Sequence, residues 1–512
     1  TFNPFSRLFI DFFPNLFVIF ASQIIYPTYV FWLISILFLF LSFYFSLKLF
    51  NRFNFDRLIS YIFAPFFTFS IFYISRVLSF TYNLLPTFLI PLALYSFTSN
   101  YRYRGFKTIL VLIISLLFST YYFYFVFFLF LIINIMRKEF KIILSSSAIV
   151  LLILIAFYRP FIKSNTPLDK NYSKSDEFTD FTRIYRPIED WYNLSFRPWY
   201  FFIPPKSSIF FGEFSKKIHE KIKNTGYYLA DDYMEEEMAG SYMGWHFLLG
   251  LGIVGTLLLL KKFKNKEYKT FKTVYENKEM IVRSFFIIFC ILLISGPPSF
   301  TIRGITIYTP TYLLYYIVPV FRTLVRWAVV IYLFVLIINS FLVQDLYNLM
   351  KTKLQKTLFI LAFLTLNYVI FAIKIPVINI NKPPQEIAFV KEKYPGSVPY
   401  AVYPKGDYYS IFWIISHEDL LINPVNFINY ETGFDSNEFS KNLITEEGIQ
   451  DFLEKEPKYL IYYPNNISND DLEKISKVNP DLKSREDIYE FFKQRFGDGV
   501  SIGESVVFDI RD

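Results

Sequence analysis

One cysteine and three histidines are all that 512 residues offer of the side chains that most often bind transition metals. Cys290 stands alone within an apolar run, which excludes a disulfide framework and a thiolate metal cluster. His219, His246 and His417 lie far apart and form no HExxH or similar ligand spacing. Acidic residues are scarce up to residue 374, where 38 Lys+Arg face 20 Asp+Glu, and abundant in 375–512, where 14 face 24. The basic residues lie beside apolar segments and do not gather as they would on a nucleic-acid-binding surface, so no nucleic-acid partner is expected. No signal peptide is visible, and the first residue is Thr1 and not Met. The simplest expectation is that an N-terminal segment, including a first span, is missing.

What the chain has in excess is apolar surface. It is 54% hydrophobic and 21% aromatic, with mean hydropathy +0.34, and the apolar residues come in long blocks. That composition fits an integral membrane protein, with the lipid bilayer as its first partner. The 64 Phe and 40 Tyr carry no functional message by themselves.

Apolar runs at 29–47, 57–75, 82–98, 108–119, 121–136, 140–157, 244–260, 284–295, 325–345 and 357–374 predict a polytopic α-helical bundle of about ten spans. Lysine and arginine near the ends orient it. Residues 261–278 carry seven lysines, and with Lys351, Lys353, Lys356, Arg137, Lys138, Lys141, Arg102, Arg104 and Lys107 they are expected on the cytoplasmic side. Residues 108–136 must then cross twice, with a break near Ser119 and Thr120. The expected organisation is an N-terminal transmembrane bundle (1–157), a large external loop (158–243), C-terminal spans (244–374) with a re-entrant segment near 311–321, and an external soluble domain (375–512). Within the last, "TEEGIQDFLEKEPKYLIYYP" reads as a helix at 445–455 and a strand at 458–463, and "ESVVFDI" reads as a closing strand, which makes a small α/β domain.

The charges near lipid are the candidate site. "VPVFRTLVRWAVV" places Arg322 and Arg326 four apart at the outer end of a late span, on one face if the segment is helical. They either hold a lipid-linked phosphate or snorkel to headgroups and bridge to acidic loop residues. Arg76, Arg197 and Arg303 reach the same face and can join a phosphate site or pair locally. Asp11, alone among apolar residues in "LFIDFFPNLF", is a candidate general base. The run "DDYMEEE" offers Asp231, Asp232 and Glu235 as oxygen ligands for a divalent cation, and equally reads as a solvated acidic loop, since its spacing matches no calcium loop. His246 beside Trp245 suits an interfacial anchor.

Four stretches taken together carry a resemblance: "FRPWYFFIPP", "EEEMAGSYMGWHFLLGLGIVGTLLLL", "GPPSFTIRGITIYTPTYLLYYIVPVFRTLVRWAVVIYL" and "INPVNFINYETGF" followed by "GIQDFLEKEPKYLIYY". Their order resembles polytopic membrane proteins of the GT-C glycosyltransferase type, including YfhO-like proteins, from about residue 28 to the end. The resemblance implies a bundle with its site on the outer face, moving a sugar from a polyprenyl-phosphate-linked donor to an external glycan or lipid acceptor. It also implies a catalytic carboxylate just after the first span, a region that falls at or before Thr1. In the matching segments Arg322 and Arg326 take the place of the family's arginines, and Glu237 is the nearest acidic residue ahead of "YMG". A flippase or transporter of lipid-linked saccharide and a non-catalytic envelope assembly protein are the competing expectations.

Overall fold

The computed structural model describes residues 12–21, 24–25, 27–78, 81–99, 101–164, 188–222, 240–259, 270–317, 323–374, 384–394, 398–404, 420–422, 428–429, 434–467 and 469–510. The chain divides after Ile375 into two units.

The first unit is built from apolar helices: α1 (Phe12–Ala21), α2 (Pro27–Arg52), α3 (Arg57–Thr68), α4 (Ile71–Leu78), α5 (Leu89–Phe97), α6 (Tyr101–Phe118), α7 (Thr120–Met136) and α8 (Phe140–Ser164). Two short helices, Ile188–Asn193 and Gly212–Ile222, precede α9 (Trp245–Leu259), α10 (Lys272–Glu276) and α11 (Lys278–Ser295). A hairpin of β1 (Ser299–Ile302) and β2 (Ile305–Tyr308) leads to α12 (Pro310–Ile317), α13 (Ala328–Leu349) and α14 (Lys353–Phe371). Among the described residues four stretches are long and apolar enough to cross a bilayer, namely Tyr29–Arg52, Arg57–Leu78, Leu324–Leu349 and Lys353–Phe371. Thr120–Met136, Phe140–Ile153 and Trp245–Leu259 are apolar but shorter.

The stretch Leu324–Asp345 is buried on every face, and its sequence has no polar stripe to turn outward. It is the axis against which α3, α9, α10 and α11 pack. By contrast α14 leaves Leu354, Leu358, Leu361 and Tyr368 exposed along one side, an apolar face suited to lipid. Several hydroxyls inside the bundle are satisfied locally. Ser35, Thr68, Ser115, Ser284, Ser295 and Ser340 each donate to the carbonyl four residues back.

Two apolar runs are interrupted, for different reasons. In 57–78, Pro65 has no N–H to continue the ladder, α3 ends at Thr68, and the Ser70 hydroxyl accepts from the Tyr73 N–H at 3.4 Å to start α4. The run 82–98, expected as one span, is a single 3-10 turn (Tyr82–Leu84), a non-helical stretch around Pro86, and the nine-residue α5. At about 14 Å, α5 is half a span. Almost all of it is buried, and so is the irregular stretch Leu85–Phe88 before it. Its C-terminal carbonyls, Phe97 and Thr98, accept from the Arg137 and Arg52 guanidiniums, cations placed where the helix dipole favours them. The break between α6 and α7 falls at Ser119, at the predicted position.

The far end of α13 organises two other helix starts. Gln344 accepts the Asp56 N–H at 3.1 Å, just before α3. The buried Asp345 carboxylate accepts the Thr273 and Val274 N–H groups of α10, each at 2.9 Å. Replacing Asp345 by Ala leaves those donors buried without a partner, at a cost of about 2–3 kcal/mol. Limited trypsin digestion should then cut faster around Lys272 and Lys278, with Asp345→Asn intermediate. An unchanged digestion rate in Asp345→Ala would show that the carboxylate does not hold α10.

Between α8 and α9 the chain is less of a loop than its composition suggests. Helix α8 itself runs on to Ser164. Trp191, Phe196 and Tyr200 are buried in the main core, the Phe196 N–H donates to the Ser295 carbonyl at 2.7 Å, and the Val325 N–H to that of Leu194 at 3.0 Å. Of "FRPWYFFIPP", Trp199 and Phe202 remain exposed while its other aromatics pack inward.

The second unit is a three-layer α/β arrangement. Its sheet comprises β3 (Pro399–Tyr403), β4 (Leu420–Leu421), β7 (Tyr459–Tyr462), β8 (Val500–Ile502) and β9 (Ser505–Asp509), in the order β4-β3-β7-β9-β8; a separate two-residue pair is formed by β5 (Ile428–Asn429) and β6 (Phe434–Asp435). Strands β3 and β7 are parallel with Tyr400 opposite Tyr459, and β9 is antiparallel to β7 with Phe508 opposite Leu460. Alternation sends Ala401, Tyr403, Leu460 and Phe508 to one face, against Phe452, Ile488 and Phe492. Tyr400, Val402, Tyr459 and Ile461 go to the other, against Ile387 and Val390. Central strands covered on both faces must be apolar throughout, which is why "YLIY" shows no polar position. The helix Glu446–Leu453 is capped by Thr445, whose hydroxyl accepts the Gly448 N–H at 3.0 Å.

Candidate functional site

The interrupted second span carries the first site residue. Because Ser70 restarts the helix, α4 brings Ile71, Phe72 and Tyr73 into the core and sets Arg76 beside them, 1% exposed. Its guanidinium lies over the Phe72 ring at 5.1 Å. Thr81 closes the end of α4 by donating its N–H to the Arg76 carbonyl at 3.1 Å.

Arg326 arrives from the other direction. Residues Leu324–Trp327 form a 3-10 turn leading into α13, so regular helix begins only after Thr323. Arg322, its expected partner at the four-residue spacing, lies outside the described residues. Arg326 is 6% exposed, with its guanidinium over the Tyr121 ring at 4.6 Å. The neighbouring Trp327 is fully buried against Phe125 at 4.6 Å and Tyr124 at 5.5 Å, which fastens the start of α13 to the start of α7.

Tyr122 follows Tyr121 at the start of α7. It is fully buried, donates to the Leu84 carbonyl at 2.8 Å, and lies in the electrostatic field of both Arg76 and Arg326. Residues 250 positions apart thus act electrostatically on one tyrosine next to the α6–α7 break. Guanidinium stays charged even when buried. Guanidiniums beside phenol hydroxyls are donors matched to the oxygens of a phosphate.

The other predicted arginines have separate surroundings. Arg197 donates to the Ser195 carbonyl at 3.1 Å and the Tyr192 carbonyl at 3.2 Å, closing its own turn. Burial pushes the Tyr200 phenol up, and Arg197 beside it pulls the other way. Arg303 occupies the exposed tip of the β1–β2 hairpin. His246 turns to the Asn367 side chain at 3.1 Å, and Trp245 donates to the Phe202 carbonyl at 2.8 Å. Asp11, Asp231, Asp232, Glu235 and Glu237 lie outside the described residues. Among the described residues no group of three or more His, Cys, Asp or Glu is placed to hold a metal ion.

Sequence reasoning passed over two features here. Tyr121 and Tyr122 read only as part of a span, although two tyrosines directly after a predicted break were a signal of a polar end. The hairpin was visible in "SFTIRGITIY", alternating residues around an Arg-Gly pair, but the surrounding apolar blocks drew the eye to helices.

Comparison with protein-family models, with curated protein sequences and with solved structures returns no match for this chain.

Proposed function

We propose that this chain is a multi-span membrane protein whose Arg76–Arg326 end binds the phosphate of a lipid-linked sugar, and that it is a glycosyltransferase of the GT-C type. Two buried guanidiniums, both within electrostatic reach of the buried Tyr122 and one of them over the adjacent Tyr121 ring, support this reading. In the proposed reaction a carboxylate takes the proton from an acceptor hydroxyl, the acceptor oxygen attacks the anomeric carbon, and the bond from that carbon to the lipid phosphate breaks. Arg76 and Arg326 stabilise the charge that develops on the departing phosphate. Asp11 and Glu237 remain the candidate bases, and Arg322 the candidate third cation.

The proposed topology has about ten spans. The end where Arg52, Arg104, Arg137 and Arg283 gather with Glu139 is cytoplasmic by the positive-inside rule, and the Arg76–Arg326 end is external. Residues 158–243 and 375–512 are then external as well.

The test is binding of a short-chain polyprenyl monophosphate to the full chain in nanodiscs. Arg76→Met and Arg326→Met should each weaken binding about tenfold or more, since a charge-assisted contact contributes about 1.5–3 kcal/mol. Methionine fills the space without a charge, so the fold should survive. Two folded variants binding as the parent does would overturn the site.

One observation favours a second reading, a flippase of lipid-linked saccharide. Half-helix α5 with buried irregular backbone before it is a device of transporters. Movement of labelled lipid across liposomes by purified protein, with no sugar transfer, would select that reading.

A further inference from the structure

The hairpin after α11 leaves residues of both its strands exposed. Its register pairs Ser299 with Tyr308, Phe300 with Ile307, and Thr301 with Thr306. One face is therefore Ser299, Thr301, Thr306 and Tyr308, with the two threonine hydroxyls 3.4 Å apart, and the other carries Phe300, Ile305 and Ile307. That second face is apolar and exposed, with Phe300, Ile305 and Ile307 at 45%, 69% and 41%. An isolated two-stranded hairpin is marginal in water, and an apolar face on one needs a covering.

The covering is indicated by what the hairpin is fastened to. Val282, Phe286, Phe289 and Leu293 form an exposed stripe along α11, at spacings of four, three and four. Only Gly296, Pro297 and Pro298 separate the end of α11 from β1. The base is fixed there: Thr309 donates its N–H to the Pro298 carbonyl at 2.9 Å, and the Thr311 hydroxyl donates to that of Leu293 at 2.9 Å. So the apolar face begins where the exposed stripe of α11 stops, and it cannot travel far from it. Beyond β2, Tyr308, Tyr312 and Tyr316 continue as a ladder with ring centroids 4.5 and 5.1 Å apart, the aromatic type that settles at headgroup level. At the tip, Arg303 and Gly304 both have positive φ, the two-residue turn that matches strand twist, and the long cationic side chain is exposed.

We propose that the β1–β2 hairpin is an interfacial arm, its Phe300–Ile305–Ile307 face laid in the headgroup layer and Arg303 engaging anionic lipid. The proposal rests on the bundle spanning a membrane, and it assigns Arg303 a role apart from the Arg76–Arg326 site. The bilayer surface is the occupant because the arm continues the exposed stripe of α11 and joins apolar, tyrosine and cationic groups in the order that an interface presents.

The experiment uses the full chain in nanodiscs with Cys290→Ser as background, and an environment-sensitive thiol dye at Ile305→Cys, Thr306→Cys or Leu361→Cys. Expected are strong protection from an aqueous quencher at Leu361→Cys, protection at Ile305→Cys, and ready quenching at Thr306→Cys. Replacing zwitterionic lipid in part by phosphatidylglycerol should increase protection at Ile305→Cys about twofold or more, and Arg303→Ala should remove that increase. Quenching at Ile305→Cys while Leu361→Cys stays protected overturns the arm and leaves the membrane reading standing. Quenching at both positions overturns the membrane reading and the arm with it. Protection at Ile305→Cys that ignores anionic lipid overturns the role of Arg303.

Discussion

Gly250→Ala is expected to destabilise the bundle by roughly 2–4 kcal/mol, the sum of overpacking strain and a lost interhelical hydrogen bond. A methyl group built on Gly250 would stand 1.9 Å from Asn339 Oδ1. That asparagine is buried on α13 and uses its Nδ2 twice, donating to the Phe247 carbonyl of α9 at 3.0 Å and to Val335 of its own helix at 2.9 Å. The glycine is what lets the amide lie against the α9 backbone. The alanine methyl displaces it and breaks the hydrogen bond by which Asn339 reaches the Phe247 carbonyl of α9. In the same helix, a methyl on Gly252 meets nothing within 4 Å, so Gly252→Ala should be neutral or slightly stabilising, since alanine is the better helix former. Thermal unfolding in detergent, followed for both variants and for Gly250→Ala with Asn339→Ala, decides the matter. The double variant should recover part of the loss, because the clash is gone. Equal melting of Gly250→Ala and Gly252→Ala would show that close approach at Gly250 is unnecessary.

That contrast shows what sequence patterning can and cannot carry in such a chain. Nothing in "LLGLGIVG" distinguishes Gly250 from Gly252, because the distinction lies in a side chain 89 residues away. The apolar blocks mark helices well where they are uninterrupted, as in α2, α13 and α14, because continuous hydropathy has one meaning in lipid. They mislead at 82–98, where Pro86 and the enclosing helices turn a span-length run into a half-helix. The tail was legible at 445–463 and 504–510, since a capped amphipathic helix and buried strands follow ordinary alternation. The candidate site was legible only in part. Buried arginines stand out in any apolar run, and both Arg76 and Arg326 were visible as charges. That both lie within electrostatic reach of Tyr122, while Arg197 closes its own turn and Arg303 stands at a hairpin tip, depends on tertiary packing that no local spacing encodes.

Trp327→Ala is expected to lose both stability and phosphate binding, whereas Arg326→Met should lose binding alone. The indole fills the junction of α13 with α7 against Tyr124, Phe125 and Phe128, and a cavity of that size costs about 3–5 kcal/mol in a packed core. Arg326 precedes Trp327 by one residue in the same 3-10 turn, and its place over Tyr121 depends on that turn staying docked. Trp327→Phe keeps a ring in the junction and should retain most of the binding with a smaller drop in melting temperature. Measuring polyprenyl monophosphate affinity and thermal stability together separates the two roles, since a positioning residue moves both quantities and a contact residue moves one. If Trp327→Ala melts early yet binds as the parent does, Arg326 is held in place by something other than the aromatic junction, and the coupling of fold to site argued from the start of α13 fails.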